Sequence, residues 1–174
     1  MTAPTPLPEV WLRGPLRDVP ALLQPVAHAL LQAQEEIHAM LLDFPASLLW
    51  QQPEGVASPG FHLQHMAGVL DRLFTYAAGN LLTDQQLQYL AGEGKPGEGH
   101  SPDQLLERLD AAISQAIERL QQTDSSTLTE TRGVGRKQVP STVLGLLFHA
   151  AEHTMRHTGQ LLVTVQVLKG REGV

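Results

Sequence analysis

The stretch that decides the fold is LLFHAAEHTMRHTGQLL, residues 146–162, in which His149, His153 and His157 recur at intervals of four. On an α-helix, each four-residue step turns a side chain by about 40° and climbs about one turn, so the three imidazoles form a stripe on one face. Two imidazoles at this spacing can bind one metal ion, and a third ligand from elsewhere completes a facial set. The run therefore predicts a long helix that carries metal ligands.

The composition narrows the class of protein before any motif is considered. The chain has 174 residues, enough for one domain, and its 42% of hydrophobic residues is typical of a globular protein. The 17% of charged residues is a low fraction, which argues against disorder caused by charge. A net charge of -6 with only 12 Lys and Arg argues against a nucleic-acid partner. No apolar run approaches the length of about 20 residues that spans a membrane. With no signal pattern at the start and no Cys for disulfides or thiolate ligands, we expect a cytoplasmic protein without a membrane partner.

Helical patterns with one apolar face recur along the chain, separated by links rich in polar residues, glycine and proline. The predicted helices begin, in chain order, at Asp18, Ser58–Pro59, Thr83, Ser101–Pro102 and Pro140–Ser141. Ser101 and Gln104 have the spacing of a capping box, which strengthens the fourth of these starts. The sequence therefore predicts an all-α fold, a four-helix bundle of the up-down type with a short extra helix after Thr83 and long links.

The bounds of the domain are predicted less directly. Pro25 either kinks the first helix or shifts its start. The polar link before the last helix holds at most a brief extended piece, and we predict no sheet there. The proline-rich residues 1–17 form an arm that docks through Trp11 and Leu12, and residues 18–170 form the single bundle domain.

A second pair of histidines lies in FHLQHMAGVLDRL, residues 61–73, where His62 and His65 are three residues apart. His65 precedes the predicted core residue Met66 and so lies at the edge of the buried stripe, where a ligand faces the bundle interior. The predicted metal ligands are His65, His153 and His157, with His149 and His62 as reserve ligands or supporting groups. The alternative is that these histidines make ordinary hydrogen bonds and the helices bind no metal.

Other polar residues near the histidines carry no such signal. We expect Asp71 and Arg72 to be solvated or to pair along the helix. Glu152 and Arg156, four residues apart, are either solvated or paired along the helix.

Two segments resemble those of the DinB/YfiT-like superfamily of metal-binding helix bundles. FHLQHMAGVLDRLFTYAAG, residues 61–79, resembles the segment of the second helix that supplies one ligand, and HAAEHTMRHTGQLL, residues 149–162, resembles the signature of the final helix. The resemblance covers about residues 20–168 and implies the same three ligands, His65, His153 and His157. Members often carry another histidine just before the last ligand, where this chain has Arg156.

The resemblance also implies a divalent ion, often Zn or Ni, and frequent homodimers. Some relatives are S-transferases that use low-molecular-weight thiols such as bacillithiol or mycothiol, and others are related to maleylpyruvate isomerase or to ergothioneine-pathway enzymes. We therefore expect a divalent-metal-binding protein, such as a thiol-dependent S-transferase with a small-molecule substrate. A non-catalytic metal-binding stress-response module and a metal-dependent hydrolase are the alternatives. The apolar residues 161–168 are consistent with a homodimer interface or a central place in the core.

Overall fold

A computed structural model describes residues 7–173 of the chain. The helices and strands are α1 (Gln24–Leu41), α2 (Pro59–Ala77), α3 (Asp84–Gly92), α4 (Pro102–Gln121), β1 (Thr131–Val134), β2 (Val139–Thr142) and α5 (Val143–Glu172). The four long helices form a bundle, and α3 is the short extra helix, so the predicted all-α four-helix bundle is confirmed. Among the helices of residues 7–173, none combines the length and the apolar character needed to cross a bilayer.

Side-chain caps set the starts of α3 and α4. Ser101 Oγ accepts a hydrogen bond from the Gln104 backbone N–H at 3.3 Å, and Gln104 Oε1 accepts one from the Ser101 N–H at 3.1 Å. Thr83 and Gln86 form the same reciprocal pair at the start of α3. Each pair satisfies N–H groups that have no partner inside the helix, so the predicted starts at Ser101–Pro102 and Thr83 are confirmed.

The predicted start of the first helix at Asp18 is wrong. Asp18 has a φ of 61° and lies in a turn, and α1 begins at Gln24 after a 3-10 turn at Ala21–Leu23. Pro25 occupies the first turn of α1, where its missing N–H removes no helical hydrogen bond. Of the two readings of Pro25, the shifted start is the one that the structure shows.

The segment before α1 contacts the bundle through residues other than those predicted. Trp11 and Leu12 are 60% and 56% exposed, so docking through them is wrong. The neighbouring Val10 is buried instead, and Arg13 forms a bidentate ion pair with Glu35 of α1. Residues 1–6 of the predicted arm lie outside the described residues.

The helices lie around the bundle so that α1 and α2 each contact both α4 and α5. Lys169 near the end of α5 donates to the carbonyl of Met40 near the end of α1, so these two helices run in the same direction. Gln121 at the end of α4 donates to the carbonyl of Arg17 before α1, so α4 runs the opposite way. With α2 antiparallel to α5, the directions along the chain are up, down, down, up, so the helices of the confirmed bundle do not alternate as the predicted up-down type requires. The largest fully buried side chains are Leu23, Leu30, Ile37, Leu48, Leu49, Leu63, Met66, Leu70, Leu105, Leu109, Ile113 and Leu120.

Helix α3 returns the chain along α2, because α2 and α4 run the same way and their ends must be joined across the length of the bundle. Gln86 donates to Asp71 Oδ2 at 2.8 Å, and Tyr89 further along α3 donates to the carbonyl of Gln64 at 3.0 Å. The chain therefore leaves α3 beside the first turns of α2. This path places residue 93 near the predicted ligand of α2.

The link before α5 forms an antiparallel hairpin, so the expectation of no sheet is wrong. Its strands pair Thr131 with Thr142 and Val134 with Val139. The hairpin is held by backbone pairing, by Val134, which packs against the core, and by Arg132, whose Nε donates to the carbonyl of Ala77 at 2.9 Å. Four-residue strands without alternating apolar residues give too weak a pattern to detect in the sequence. Residues 140–141 belong to β2, and α5 begins later than predicted, at Val143.

The Ser101 cap should have a measurable effect on stability. We expect Ser101→Ala to lower the free energy of unfolding by about 1 kcal/mol, because it removes the acceptor for the Gln104 N–H. Ser114→Ala is the matched control, since Ser114 is exposed within the same helix and caps nothing. Urea unfolding of both variants measures the difference. Equal loss of stability in the two variants would show that the cap contributes nothing.

Candidate metal centre

The structure brings His65 of α2 together with His153 and His157 of α5. One ring nitrogen from each lies within 4.8 Å of the other two. Nε2 of His65 is 3.0 Å from Nε2 of His153, and the ring centroids of His153 and His157 are 4.5 Å apart. All three side chains are partly buried. The three predicted ligands thus form one cluster between two antiparallel helices, which we call the histidine cluster.

The spacing and the charge state of the histidine cluster fit a divalent ion. Two nitrogens bound to one ion at about 2.0–2.1 Å lie about 2.9–3.4 Å apart, depending on the coordination angle. The 3.0 Å separation of His65 and His153 falls within that range. Burial, and then the nearby His65, lower the pKa of His153 to about 4 and the pKa of His157 to about 3. Both rings are therefore neutral near pH 7, which is the form that binds metals.

One buried atom of the histidine cluster lacks a partner. Nδ1 of His153 makes no hydrogen bond with any residue of the described chain, although it is buried. Buried polar atoms are normally satisfied, but the nitrogen of His153 that faces His65 is Nε2, so Nδ1 is not a second ligand for the same ion. The fit to an ion therefore rests on the nitrogen spacing and on the neutral rings.

A buried carboxylate orients His65. Nδ1 of His65 is 2.6 Å from Oε2 of Glu93, and Oε1 of Glu93 accepts from Nη1 of Arg72 at 2.5 Å. The side chains of Glu93 and Arg72 are 5% and 10% exposed. A carboxylate at Nδ1 holds the proton on that nitrogen and leaves the lone pair of Nε2 facing the histidine cluster. Phe61 stacks on the same ring, with centroids 5.1 Å apart and planes 12° apart.

Gly68 makes room for this carboxylate. A Cβ at position 68 would lie 2.6 Å from Nη1 of Arg72 and 2.7 Å from Cε1 of Tyr89, and it would also overlap Glu93. Glycine within a helix costs about 1 kcal/mol relative to alanine. In α2 that cost has a steric reason, since any side chain here would displace the Arg72–Glu93 pair.

The two reserve histidines have different surroundings. His62 is 3% exposed, and its Nδ1 lies 3.0 Å from Nδ1 of His157, which leaves Nε2 of His157 for an ion. Burial, followed by the charge of His65, lowers the pKa of His62 to about 4. His149 is exposed and lies 3.4 Å from Glu152, outside the histidine cluster. His62 is thus placed as a supporting group, and His149 is not placed to join the other ligands.

Glu93, Arg72 and Phe61 were not predicted from the sequence. Glu93 lies in GEGKPGEGH, whose glycine and proline content predicts only a flexible loop. The expectation that Arg72 is solvated or paired along its own helix is wrong, because Arg72 is 8% exposed and paired with Glu93. Phe61 and Arg72 lie four residues before and seven residues after His65 on one face of α2, so helical spacing could have indicated them, whereas the arrival of Glu93 depends on the return path of α3. The expected pair within α5 is confirmed, with Nε of Arg156 2.9 Å from Oε1 of Glu152.

Removing the charge of Glu93 should weaken metal binding. We expect Glu93→Gln to lower the affinity for Zn by about 10- to 100-fold, because a neutral amide accepts the Nδ1 proton of His65 more weakly than a carboxylate does and no longer pairs with the charge of Arg72. Glu98→Gln makes the same change at an exposed position of the same loop and should leave the affinity unchanged. Competition with a chromophoric chelator measures both. Equal affinities in the two variants would mean that Glu93 does not support the centre.

Acid should destabilise the metal-free protein at pH values where most folded proteins are stable. The three lowered pKa values belong to the folded state, whereas the unfolded chain takes up protons at these histidines near the ordinary value of 6.5. The unfolded state therefore binds more protons below about pH 6.5, and the free energy of unfolding falls as the pH drops towards 4. Urea unfolding across this range measures the slope. A His153→Gln, His157→Gln double variant should show a shallower slope, and an unchanged slope would contradict the assignment.

Comparison with solved structures agrees with the fold. A crystal structure of a conserved protein from Enterococcus faecalis has the same fold, with a TM-score of 0.67 over 85% of this chain and 97% of that chain. At 17% sequence identity, this likeness concerns the fold alone. No curated protein sequence matches the chain.

A second comparison concerns the protein family. The family model of the DinB superfamily matches residues 16–161, which include the histidine cluster, Arg72 and Glu93. This span is well over half of the sequence, and it contains residues 61–79 and all but the last of residues 149–162, the two segments that resemble those of the superfamily. The chain therefore belongs to the DinB superfamily.

Proposed function

We propose that the chain binds one divalent metal ion through His65, His153 and His157, and that the loaded centre is an S-transferase that activates a small thiol. The observation that carries the proposal is the convergence of three neutral or carboxylate-oriented imidazoles from two helices. Imidazole nitrogens suit Zn and Ni, so we propose one of these ions. Sites with three protein ligands keep positions for substrate, whereas structural zinc sites are usually closed by a fourth protein ligand.

The residues of the chain have distinct roles in this proposal. His65, His153 and His157 hold the ion, which when bound lowers the pKa of a thiol and so supplies a thiolate near neutral pH. Glu93 keeps the proton of His65 on Nδ1, and Arg72 holds Glu93. Phe61 covers one face of the His65 ring and limits the access of water to it.

Thiol transfer is favoured over hydrolysis because the two carboxylates near the histidine cluster, Glu93 and Glu152, are each already bound by an arginine. Activating water for hydrolysis is assisted by a general base that can take up a proton. Glu93 already accepts from Arg72 and contacts His65. Glu152 is bound by Arg156, whose hydrogen bond lowers the pKa of Glu152. Because a thiol ionises more readily than water, thiol transfer has less need of such a base.

The assembly and the compartment are also part of the proposal. Leu162, Val163 and Val167 are 43%, 63% and 40% exposed on the second half of α5. Apolar side chains grouped in this way support a homodimer. The chain has no Cys and a net charge of -6, which supports a cytoplasmic protein without a nucleic-acid partner.

Metal uptake tests the ligand set. We expect protein purified without an affinity tag to bind about one equivalent of Zn or Ni, and His153→Ala or His157→Ala to abolish tight binding, because two imidazoles bind an ion much less strongly than three. His149→Ala, one turn earlier on the same stripe, is the matched control and should bind normally. Elemental analysis measures the amount of Zn or Ni bound per chain. Loss of binding in His149→Ala but not in His157→Ala would show that the ligands are displaced by one turn.

Turnover tests the reaction. We expect Zn- or Ni-loaded protein to conjugate monochlorobimane with at least one of glutathione, cysteine, coenzyme A, bacillithiol and mycothiol. The activity should disappear in His157→Ala and after removal of the metal, because no other group of the centre ionises the thiol. Fluorescence of the conjugate measures the rate. Consumption of none of these thiols would contradict the transferase, and metal-dependent capture of a protein partner without turnover would favour the stress-response module.

A further inference from the structure

A cavity of about 520 Å³ lies along α5 beside the histidine cluster. Most of its wall is apolar, with Val56, Ala57 and Val163 in the lining, and Arg156, Gln160 and Thr164 are among its polar groups. Small-molecule sites typically have volumes of about 300–1,000 Å³ and a mainly apolar wall with a few polar groups. The cavity therefore has the size and surface of a site for a small apolar group.

His62 joins this cavity to the histidine cluster. Its ring lines the cavity, and its Nδ1 is 3.0 Å from Nδ1 of His157. Thr164 follows His157 by seven residues, which places both on one face of α5. Gly159 and Val163 of the lining, however, lie more than 100° around the helix from His157, so it is His62 that connects the cavity to the centre.

The presence of glycine at position 159 is not explained by a steric clash such as the one that explains Gly68. It lies within α5, where glycine is less favourable than alanine. A Cβ at position 159 would meet no atom within 4 Å, so no described part of the chain requires its absence. The same residue lines the cavity. The glycine leaves space that the protein does not fill with its own side chains.

We propose that this cavity binds the apolar alkyl or aryl part of the electrophile, a proposal that rests on the proposed S-transferase function. Cellular thiols such as glutathione are polar and charged, so the apolar wall suits the second substrate better. In the reaction, the thiolate sulfur bonds to the electrophilic carbon as the bond from that carbon to a halide breaks. The halide leaves with the electron pair, and the proton of the thiol passes to solvent.

Binding of fluorobenzene to the Zn-loaded full chain tests the cavity without turnover. Fluorobenzene has the shape of an aryl substituent and offers no strong donor to the metal. We expect saturable binding in a ¹⁹F NMR titration and a loss of affinity of about tenfold or more in Gly159→Phe, because the ring fills the cavity. Gly170→Phe is the matched control, since Gly170 lies in the same helix, also has no atom within 4 Å of a built Cβ, and does not line the cavity.

A second variant and the binding results test the cavity independently of any reaction. Gly159→Ala, which adds only a methyl group, should keep normal Zn uptake, raise the melting temperature and weaken fluorobenzene binding less than Gly159→Phe does. Equal affinities in Gly159→Phe and Gly170→Phe, or no binding to the wild-type chain, would overturn the proposal. So would a change of oligomeric state in Gly159→Phe without binding, because the cavity would then be covered by a second copy.

Enzyme kinetics distinguish a failure of the cavity proposal from a failure of the transferase proposal. With benzyl chloride as the electrophile, Gly159→Phe should raise KM for benzyl chloride at unchanged Zn content. If fluorobenzene binds to the wild type and is lost in Gly159→Phe, but no thiol is conjugated, the transferase proposal is refuted and the cavity proposal stands. Conjugation with the same KM in Gly159→Phe and in the wild type would refute the cavity and leave the transferase in place.

Discussion

The packing of α2 against α5 is the constraint on which the rest of the structure depends. Met66 and Thr158 are both buried at this contact, with Thr158 Oγ1 3.8 Å from Sδ of Met66. Each is the immediate neighbour in sequence of a cluster histidine, His65 or His157. The core contact therefore fixes the distance between the imidazoles, and a change in that packing would separate them. The same burial keeps the rings of His153 and His157 neutral, so one interaction sets both the geometry and the charge of the centre.

The direction of the helices then determines which carboxylate reaches the centre. Because α2 and α4 run the same way, the chain has to return between them, and α3 is that return. Its end delivers Glu93 to His65, where the small Gly68 leaves room and Arg72, two turns later in α2, pairs with the carboxylate. A bundle with alternating directions would need no such crossover and would bring no loop back to His65. The topology and the orientation of one ligand are thus consequences of the same connection.

Local patterns in the sequence predict most of the helices and the three histidines that meet. The spacing of His153 and His157 is a property of one helix, and the place of His65 beside Met66 follows from one apolar stripe. The pairing of Glu93 with Arg72 could not be predicted in this way, because it depends on a crossover that no spacing encodes. Asp18 failed as a helix start because a cap residue can equally adopt a positive φ in a turn. The hairpin was missed because its short strands are held by backbone pairing and by single side chains rather than by an alternating apolar pattern.

The central claim is that imidazoles from α2 and α5 share one cation. X-ray absorption spectroscopy at the Zn edge, on the full chain loaded with one equivalent of metal, tests this most directly because it counts imidazole ligands. Three imidazole nitrogens in the wild type and two in His65→Ala are the predicted result. Two results would contradict a centre shared between the two helices. One is a coordination shell with at most two imidazoles in the wild type, and the other is a shell that does not change in His65→Ala.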